Sequence, residues 1–305
     1  MGAAGPAVPD ARSVVITGAS RGLGLASATR LYERGWRIVG AMRAPDVGLE
    51  RLRAATGAAA GDPRLIGVRL DLEDPATIPA AAKAIEEAVG APDALVHNAG
   101  VAAVACVEEM PFEAWERLFH TNLFGPVRLT QALLPSMRAA GRGRIVVVSS
   151  QGGIRGMPSI SAYSASKGAL ERWAEALAQE VAPFGLGVTI LVSGTFKTDI
   201  ITERTPHYGD TSGPYAAPYA EIDRRGRFLV GRLANPPERF ASALAGALDE
   251  RAPFARRAVG IDAHLLLLGS RLLPGWLLHH AVRLAMGLPR HGALRPFEEE
   301  SERHG

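Results

Sequence analysis

The tightest constraint on this chain is a junction near its start. Ser13 to Gly18 (SVVITG) is a short apolar run that passes at once into ASRGLGLASATRLYERG, whose alanines and leucines recur at helical spacing until about Gly35. A second apolar run, WRIVGAM, follows directly, so strand, helix and strand succeed one another with no room for a long loop. Gly18, Gly22 and Gly24 fall at the first strand-to-helix turn in the pattern T-G-x-x-x-G-x-G. Glycines there let backbone and helix N-terminus come close to a pyrophosphate, although the spacing differs from G-x-G-x-x-G.

The same residues, Gly18-Ala19-Ser20-Arg21-Gly22, also fit the G-x-S-x-G turn of hydrolases, which would make Ser20 a nucleophile. Against that stand its position after the first strand of the chain and the lack of a histidine in an obviously paired context among the eight present.

The second strand ends Gly40-Ala41-Met42-Arg43. An NAD site places an acid there to hold the adenosine ribose hydroxyls, and none is present. Arg43, with Arg21 in the glycine turn, suits a 2′-phosphate because guanidinium matches phosphate geometry. The plainer alternative is two solvated surface arginines. The expectation is NADP(H) in preference to NAD(H).

The alternation continues. RLIGVRLDLEDP gives a third strand ending at Asp71-Leu72, an alanine-rich helix runs from Pro75 to Val89, and PDALVHNAG is a fourth strand closed by Asn98-Ala99-Gly100. That small, polar strand end suits the adenine side of a cofactor and is equally ordinary turn chemistry. His97 reads as a satisfied, partly buried histidine rather than a ligand. Pro111 to Arg138 reads as one helix kinked at Gly125-Pro126, with Asn122 placed to hold a water or a backbone group near Lys167. GRIVVVSS is a buried parallel strand that runs into a loop at its carboxyl end, where open α/β sheets bind ligands.

Chemistry gathers after that strand. Ser150 ends it, and Tyr163 and Lys167 stand four apart in SAYSASKGALERWAEALAQEV, so both leave one face of a helix. A free phenol titrates at about 10, and a fixed ammonium beside it favours the phenolate. Tyr163 can then exchange a proton with an alcohol or ketone. A bare Tyr-x-x-x-Lys is common on helix surfaces, and Ser150 is what gives this one weight.

GVTILVSGTFKTDI supplies a sixth strand with a turn at Ser193-Gly194. Residues 195–235 lack clear periodicity and read as a substrate loop or lid, and NPPERFASALAGALDE restores a helix. The tail from Asp262 to Leu288 is apolar but broken by Arg271, Pro274-Gly275 and Arg283, so no run reaches the length of a membrane span. It reads as amphipathic helices that cover an apolar pocket, join a partner subunit or rest weakly on a membrane surface, in that order. Residues 1–12 read as a disordered lead-in and RPFEEESERHG as a frayed end.

At 305 residues the chain suits one α/β domain, with 13–260 as its body and 261–305 as an extension. Lys+Arg 34 against Asp+Glu 31 leaves net +3, too slight and scattered for a nucleic-acid surface. Cys106 is the only cysteine, which excludes an intrachain disulfide and a cysteine-rich metal site. With no signal-peptide pattern at the start, the cytoplasm is the expected compartment.

Taken together, Thr17-Gly18-Ala19-Ser20-Arg21-Gly22-Leu23-Gly24, Asn98-Ala99-Gly100, Asn122, Ser150, Tyr163 and Lys167 resemble the short-chain dehydrogenase/reductase family, in its order and at its spacings, over residues 12 to 260. The resemblance implies a single Rossmann-type doubly wound sheet of about seven parallel strands. It implies Tyr163 as general acid/base, Ser150 as the group that orients the substrate oxygen, Lys167 as the cation that lowers the Tyr163 pKa and holds the nicotinamide ribose, and Asn122 as support for a water relay. Gly18, Ser20, Arg21, Gly22, Leu23 and Gly24 would surround the cofactor phosphates and ribose, with Asp71 and Leu72 beside adenine and Asn98, Ala99 and Gly100 along its ribose. Where the family has Pro-Gly after the sixth strand this chain has Ser193-Gly194, so that loop is expected to differ, while Thr198 matches a position that touches the carboxamide or pyrophosphate. The tail is similar to extensions in the retinol and hydroxysteroid dehydrogenase-like branch, which points to an apolar alcohol or carbonyl substrate. A homodimer or homotetramer is the family's habit.

The implied activity is an NADP(H)-dependent exchange between an alcohol and a ketone or aldehyde. The alternative of another class is an NADP-binding sensor or scaffold without turnover, against which the intact Ser150, Tyr163 and Lys167 stand.

Overall fold

The computed structural model describes residues 11–197 and 205–294. Within them the apolar runs form seven strands: β1 (Ser13–Thr17), β2 (Arg37–Met42), β3 (Leu65–Arg69), β4 (Ala94–His97), β5 (Gly143–Ser150), β6 (Leu186–Ser193) and β7 (Phe254–Val259). They make one sheet in the order β3-β2-β1-β4-β5-β6-β7, and every neighbouring pair is parallel. After β3 the chain crosses from one edge of the sheet to the far side of β1, so the order reverses between β1 and β4. Open α/β sheets bind ligands in the crevice that such a reversal opens at the strand carboxyl ends.

Parallel strands need crossovers, and helices cover both faces. On one face α1 (Gly22–Glu33), α2 (Pro45–Thr56) and α9 (Pro237–Leu248) bury Leu31, Leu52, Phe240 and Leu244 against Val14, Ile16, Ile38 and Val96. On the other, α3 (Thr77–Val89), α5 (Gly125–Ala140) and α7 (Ser161–Val181) bury Ile85, Leu129, Leu133, Met137 and Leu170 against Val15, Leu95, Ile145 and Ile190. The central strands are apolar throughout because both their faces are covered. Helices α2 and α5 stop at Gly57 and Gly141, which take the left-handed conformation of a C-terminal cap.

Three expectations change. The long helix from Pro111 is α4 (Phe112–Phe119), a π-helical turn at His120–Phe124, and then α5. The irregularity precedes Gly125-Pro126 because Pro126 has no N–H to offer the Asn122 carbonyl one turn back. Gly125 itself is required by packing, since a Cβ there would lie 2.7 Å from that of Leu72.

The supposedly structureless stretch before Asn235 contains an eighteen-residue helix, α8 (Ala216–Leu233). It buries Pro218 and Tyr219 and carries Gly226, Gly231 and many charges, so no apolar stripe announces it. The phenols of Tyr215 and Tyr219 pin it to Glu108 and Glu109 in the segment after β4.

The seventh strand that the resemblance implies is FARRAV, which has no apolar pattern to locate it because Arg256 and Arg257 break the run at the sheet edge. Beyond it the extension folds as α10 (Ile261–Leu272) and α11 (Gly275–Ala285), with Ala263 and Leu267 of α10 joining the core. Among the described residues no helix is long and apolar enough to cross a membrane. Arg12, placed in the lead-in by sequence, lies 4.2 Å from the Trp36 ring centroid and pairs with Asp249 at 3.1 Å. Residues 1–10 of that lead-in, and the final RPFEEESERHG, lie outside the described residues.

Candidate active site

The reversal between β1 and β4 is sewn shut by side chains. Thr17 Oγ1 accepts the N–H groups of Asn98 and Ala99 at 3.1 and 3.0 Å. Asn98 Nδ2 donates back to the carbonyls of Thr17 and Gly18 at 2.9 and 3.3 Å. Gly18, at φ +70°, donates its N–H to Ala41 at the end of β2. Gly24 is where α1 meets the turn: a Cβ would fall 2.3 Å from the Gly18 carbonyl oxygen and 2.5 Å from Asn98 Nδ2. Helix α1 therefore presses its N-terminus into the crevice, with no side-chain cap and no acid in its first turn. That is an electropositive cradle of free amides, fit for a phosphate.

Around this cradle Ser20 is half-buried, and Leu23 packs on the apolar cluster beneath. Arg21 and Arg43 are exposed, and neither enters an ion pair among the described residues. Asp71 closes the turn after β3 by accepting the Glu73 N–H at 3.1 Å, and Leu72 is buried against the start of α5. None of the described histidines is hydrogen-bonded to Ser20, so the structure gives the hydrolase reading no base.

Beside the crevice, β5 ends at Ser150, whose Oγ caps the four-residue helix α6 (Gln151–Ile154) through the Gly152 N–H at 3.3 Å. The helix α7 begins at Ser161, and its first turns bring Tyr163 and Lys167 back over the same strand end. Both are buried, at 5% and 3% exposure. Lys167 Nζ donates to the Val148 carbonyl at 2.9 Å and stands 5.9 Å from the centre of the Tyr163 ring. A Cβ on Gly100 would come within 3.2 Å of Lys167 Nζ and 3.3 Å of Asn122 Oδ1, so the end of β4 closes against both.

The electrostatics differ from the sequence expectation. Burial pushes the Tyr163 phenol above its ordinary value, and a hydrogen bond with Ser150 opposes that. Burial also drives the Lys167 ammonium down, to about 8, while the Glu171 carboxylate one turn further along α7 pulls it up. For both groups desolvation is the largest influence, and it acts against the charged form of each.

Asn122, fully buried in the π-helical turn, spends its amide on the protein. Its Oδ1 accepts the Val101 N–H at 2.9 Å, and its Nδ2 donates to the Val101 carbonyl and Ser166 Oγ at 3.0 and 2.9 Å. It holds a backbone group, as anticipated, but that of Val101. His97 is more deeply buried than expected. Its Nε2 lies 2.7 Å from Thr130 Oγ1, and burial, helped by Lys167, lowers its pKa to about 3.

Two groups carried no sequence signal of their own. Glu171, wholly buried, accepts Ser149 Oγ at 2.6 Å and pairs with Arg256 of β7. The spacing of Glu171 from Lys167, one helical turn, was the available clue. Tyr163 also belongs to an apolar cluster of Ala102, Ala103, Ala105, Met110, Ala114 and Leu118, which the small-residue run after Asn98-Ala99-Gly100 could have suggested. Gly194 donates its N–H to Val259 at 2.8 Å. Thr198 lies outside the described residues.

Residues 12–209 match the model of the short chain dehydrogenase family. A short-chain dehydrogenase from Streptomyces avermitilis superposes with a TM-score of 0.77 at 35% identity, covering 93% of this chain and 100% of that one. The 3-ketodihydrosphingosine reductase of Bacteroides thetaiotaomicron is 30% identical over 89% of this chain and 96% of its own. Two more distant structures each cover 81% of this chain and 96% of their own. One is a metagenomic short-chain oxidoreductase in complex with NADP, 26% identical with a TM-score of 0.63. The other is a 3-ketoacyl-(acyl-carrier-protein) reductase from Brucella melitensis complexed with NADH, 27% identical with a TM-score of 0.66.

Proposed function

Because the chain belongs to the short-chain dehydrogenase/reductase family and is an oxidoreductase of that kind, we propose that it interconverts an apolar alcohol and its ketone or aldehyde with NADP(H), using Tyr163 as general acid/base. The observation that carries this reading is the convergence of Ser150, Tyr163 and Lys167 at one strand end, beside a glycine-lined crevice with uncapped helix amides. The family takes a nicotinamide nucleotide; the preference for the 2′-phosphate form rests on the exposed Arg21 and Arg43 and on the missing acid after β2.

When bound, the nicotinamide ring supplies or accepts the hydride. Tyr163 Oη gives its proton to the carbonyl oxygen in reduction and takes it back in oxidation. Ser150 Oγ holds that oxygen by a hydrogen bond. Lys167 offsets the phenolate charge and reaches for the ribose hydroxyls, and Asn122 keeps Val101 and the α7 turn at Ser166 in place around it. Gly18, Ser20, Arg21, Gly22, Leu23, Gly24 and Arg43 hold the phosphates, with Asp71, Leu72, Asn98, Ala99 and Gly100 along the adenosine and Gly194 and Thr198 on the nicotinamide side.

The alanine-rich cluster around Tyr163 supports an apolar substrate, as does the name of the B. thetaiotaomicron reductase. Residues 13–260 are then the catalytic domain, 195–235 its substrate loop and 261–305 a helical extension. Assembly as a homodimer or homotetramer through α5 and α7, and a reducing, cytoplasmic setting for the lone thiol Cys106, complete the proposal.

The test is a cofactor-coupled absorbance screen with NADPH and NADH over lipophilic ketones and aldehydes, repeated with Tyr163→Phe. Expected are turnover with NADPH favoured, and a loss of at least about a thousandfold in kcat with NADPH binding retained in the variant. Undiminished kcat in Tyr163→Phe overturns the assignment of the acid, and tight NADPH binding without turnover on any carbonyl favours the sensor reading.

A further inference from the structure

The segment leaving β6 has no proline to stiffen it, yet it is held at every step. Ser193 Oγ donates to the Ser149 carbonyl at 2.8 Å, and the Gly194 N–H to Val259 at 2.8 Å. Thr195 gives its N–H to Asp262 Oδ2 at 2.7 Å. The same oxygen accepts Gln151 Nε2 at 2.8 Å, and Gln151 directly follows Ser150. One carboxylate oxygen from the first turn of α10 thus ties the post-β6 segment to the end of β5.

The other oxygen explains the glycines. Asp262 Oδ1 is buried without a hydrogen-bond partner among the described residues. It occupies the space that a side chain at position 194 would need, since a Cβ there would lie 2.0 Å from it. A Cβ on Gly260, at φ +106°, would lie 2.7 Å from it. A desolvated, unpartnered carboxylate oxygen is costly and persists only where its surroundings dictate its place. Here two donors on Oδ2 and two missing side chains dictate it.

We propose that Asp262 is a positioning residue: its carboxylate is the clamp that sets the Gly194–Thr195 segment against Ser150, so that the C-terminal extension completes the nicotinamide side of the site. The inference rests on the reading that Ser150 and Gly194 face the cofactor. It makes α10 part of the active-site wall and assigns to Gly194 a steric role paired with Asp262.

The experiment is a double-mutant cycle of Asp262→Ala and Gly194→Ala, with Asp262→Asn as the conservative variant. Direct NADPH binding by protein fluorescence, kcat, and Tm without cofactor are read for each. Asp262→Ala is expected to weaken NADPH binding about tenfold, as the loss of charge-assisted hydrogen bonds does, and Asp262→Asn, which keeps an acceptor oxygen, to restore it to within a few-fold. Gly194→Ala should damage binding and Tm in the wild-type background, and add little in the Asp262→Ala background because the obstructing oxygen is gone. Equal damage by Gly194→Ala in both backgrounds, or wild-type NADPH binding and kcat in Asp262→Ala, overturns the proposal. If the wild-type chain binds no nicotinamide nucleotide, the functional reading fails, while the Tm cycle, which needs no ligand, still decides whether the clamp exists.

Discussion

The two halves of the sheet meet the crevice in different ways. From β1 to β4 the wall is a backbone surface, the Gly18 turn and the uncapped amides of α1, fixed from behind by the Thr17 and Asn98 side chains. From β5 to β7 it is made of side chains: Glu171 between Ser149 and Arg256, Lys167 against the Val148 carbonyl, and Asp262 under the post-β6 turn. A backbone wall needs small residues at fixed spacing, whereas a side-chain wall needs partners brought from distant parts of the chain. The first kind tolerates no added atom, and the second tolerates no lost one.

That contrast is open to a direct attack, and the largest effect is expected on the side-chain half. Glu171→Ala strips the partner from Arg256, which cannot neutralise, and leaves Ser149 without its acceptor. Removing one member of a buried pair costs about 3–5 kcal/mol; with the Arg256 side chain 18% exposed and able to reach water, the lower end is expected. Chemical denaturation of Glu171→Ala beside Glu171→Gln measures it, and the Gln variant should recover most of the loss. Because burial is the largest influence on Glu171 and raises its pKa, its contribution to stability declines as pH rises from its unfolded value through the raised folded one. The wild type should therefore show that decline and the Gln variant should not. The matching attack on the backbone half is Gly24→Ala, whose methyl has no space beside Gly18 and Asn98. Overpacking of this kind costs about 1–3 kcal/mol, and here it should abolish NADPH binding first. A Gly24→Ala chain that binds NADPH normally breaks the contrast.

The same contrast governs what the sequence reveals. Glycines at the β1–α1 turn, the Asn98-Ala99-Gly100 strand end and the Tyr163/Lys167 helical spacing are local patterns, and each marked its place before any fold was known. From Glu171 in α7 it is 85 residues to Arg256 at the sheet edge and 91 to Asp262 in the extension, and apart from the one-turn spacing of Glu171 from Lys167 nothing local distinguishes them from surface charges. Helix α8 and strand β7 were hidden for a related reason. Their charged residues are satisfied by other parts of the protein as well as locally, as Arg225 is by Glu221 one turn back in α8 and by the Leu284 carbonyl of α11, so neither shows an apolar period. The electrostatics of Tyr163 likewise depend on tertiary structure, since the burial that raises its pKa is not visible in Tyr-x-x-x-Lys.

An intermediate effect follows from that burial. With Lys167 brought down to about 8 and Tyr163 raised, the cation is lost well before the phenol ionises. In the reducing direction kcat/KM for NADPH, which reports the cofactor-free enzyme, should fall as pH rises through about 8, by about tenfold per unit beyond it. The sign is fixed: below that pH Lys167 carries its charge and Tyr163 its proton, and above it only the proton remains. A profile flat from pH 7 to 9.5 would show that Lys167 keeps its charge and that the side-chain wall screens it better than its burial implies.

The smallest effect sharpens the contrast at a single residue. In the half from β1 to β4 the positive-φ positions, Gly18, Gly22, Gly35, Gly57, Gly61 and Gly90, are all glycine. In the other half Ser159 takes φ 59° and is the non-glycine residue in that region among the described residues. It is buried, four residues before Tyr163, and its carbonyl accepts the Ala105 N–H at 2.8 Å, joining the apolar cluster to the start of α7. A left-handed L-residue carries about 1–2 kcal/mol of steric cost, partly offset in glycine by the freedom it loses on folding. Ser159→Gly should then raise stability by about 0.5–1 kcal/mol, a small rise in denaturant midpoint with an unchanged slope, and leave kcat as it is. A fall in stability instead would mean that the Ser159 side chain contributes more than its backbone strain removes, and that this half of the wall depends on side chains even at its turns.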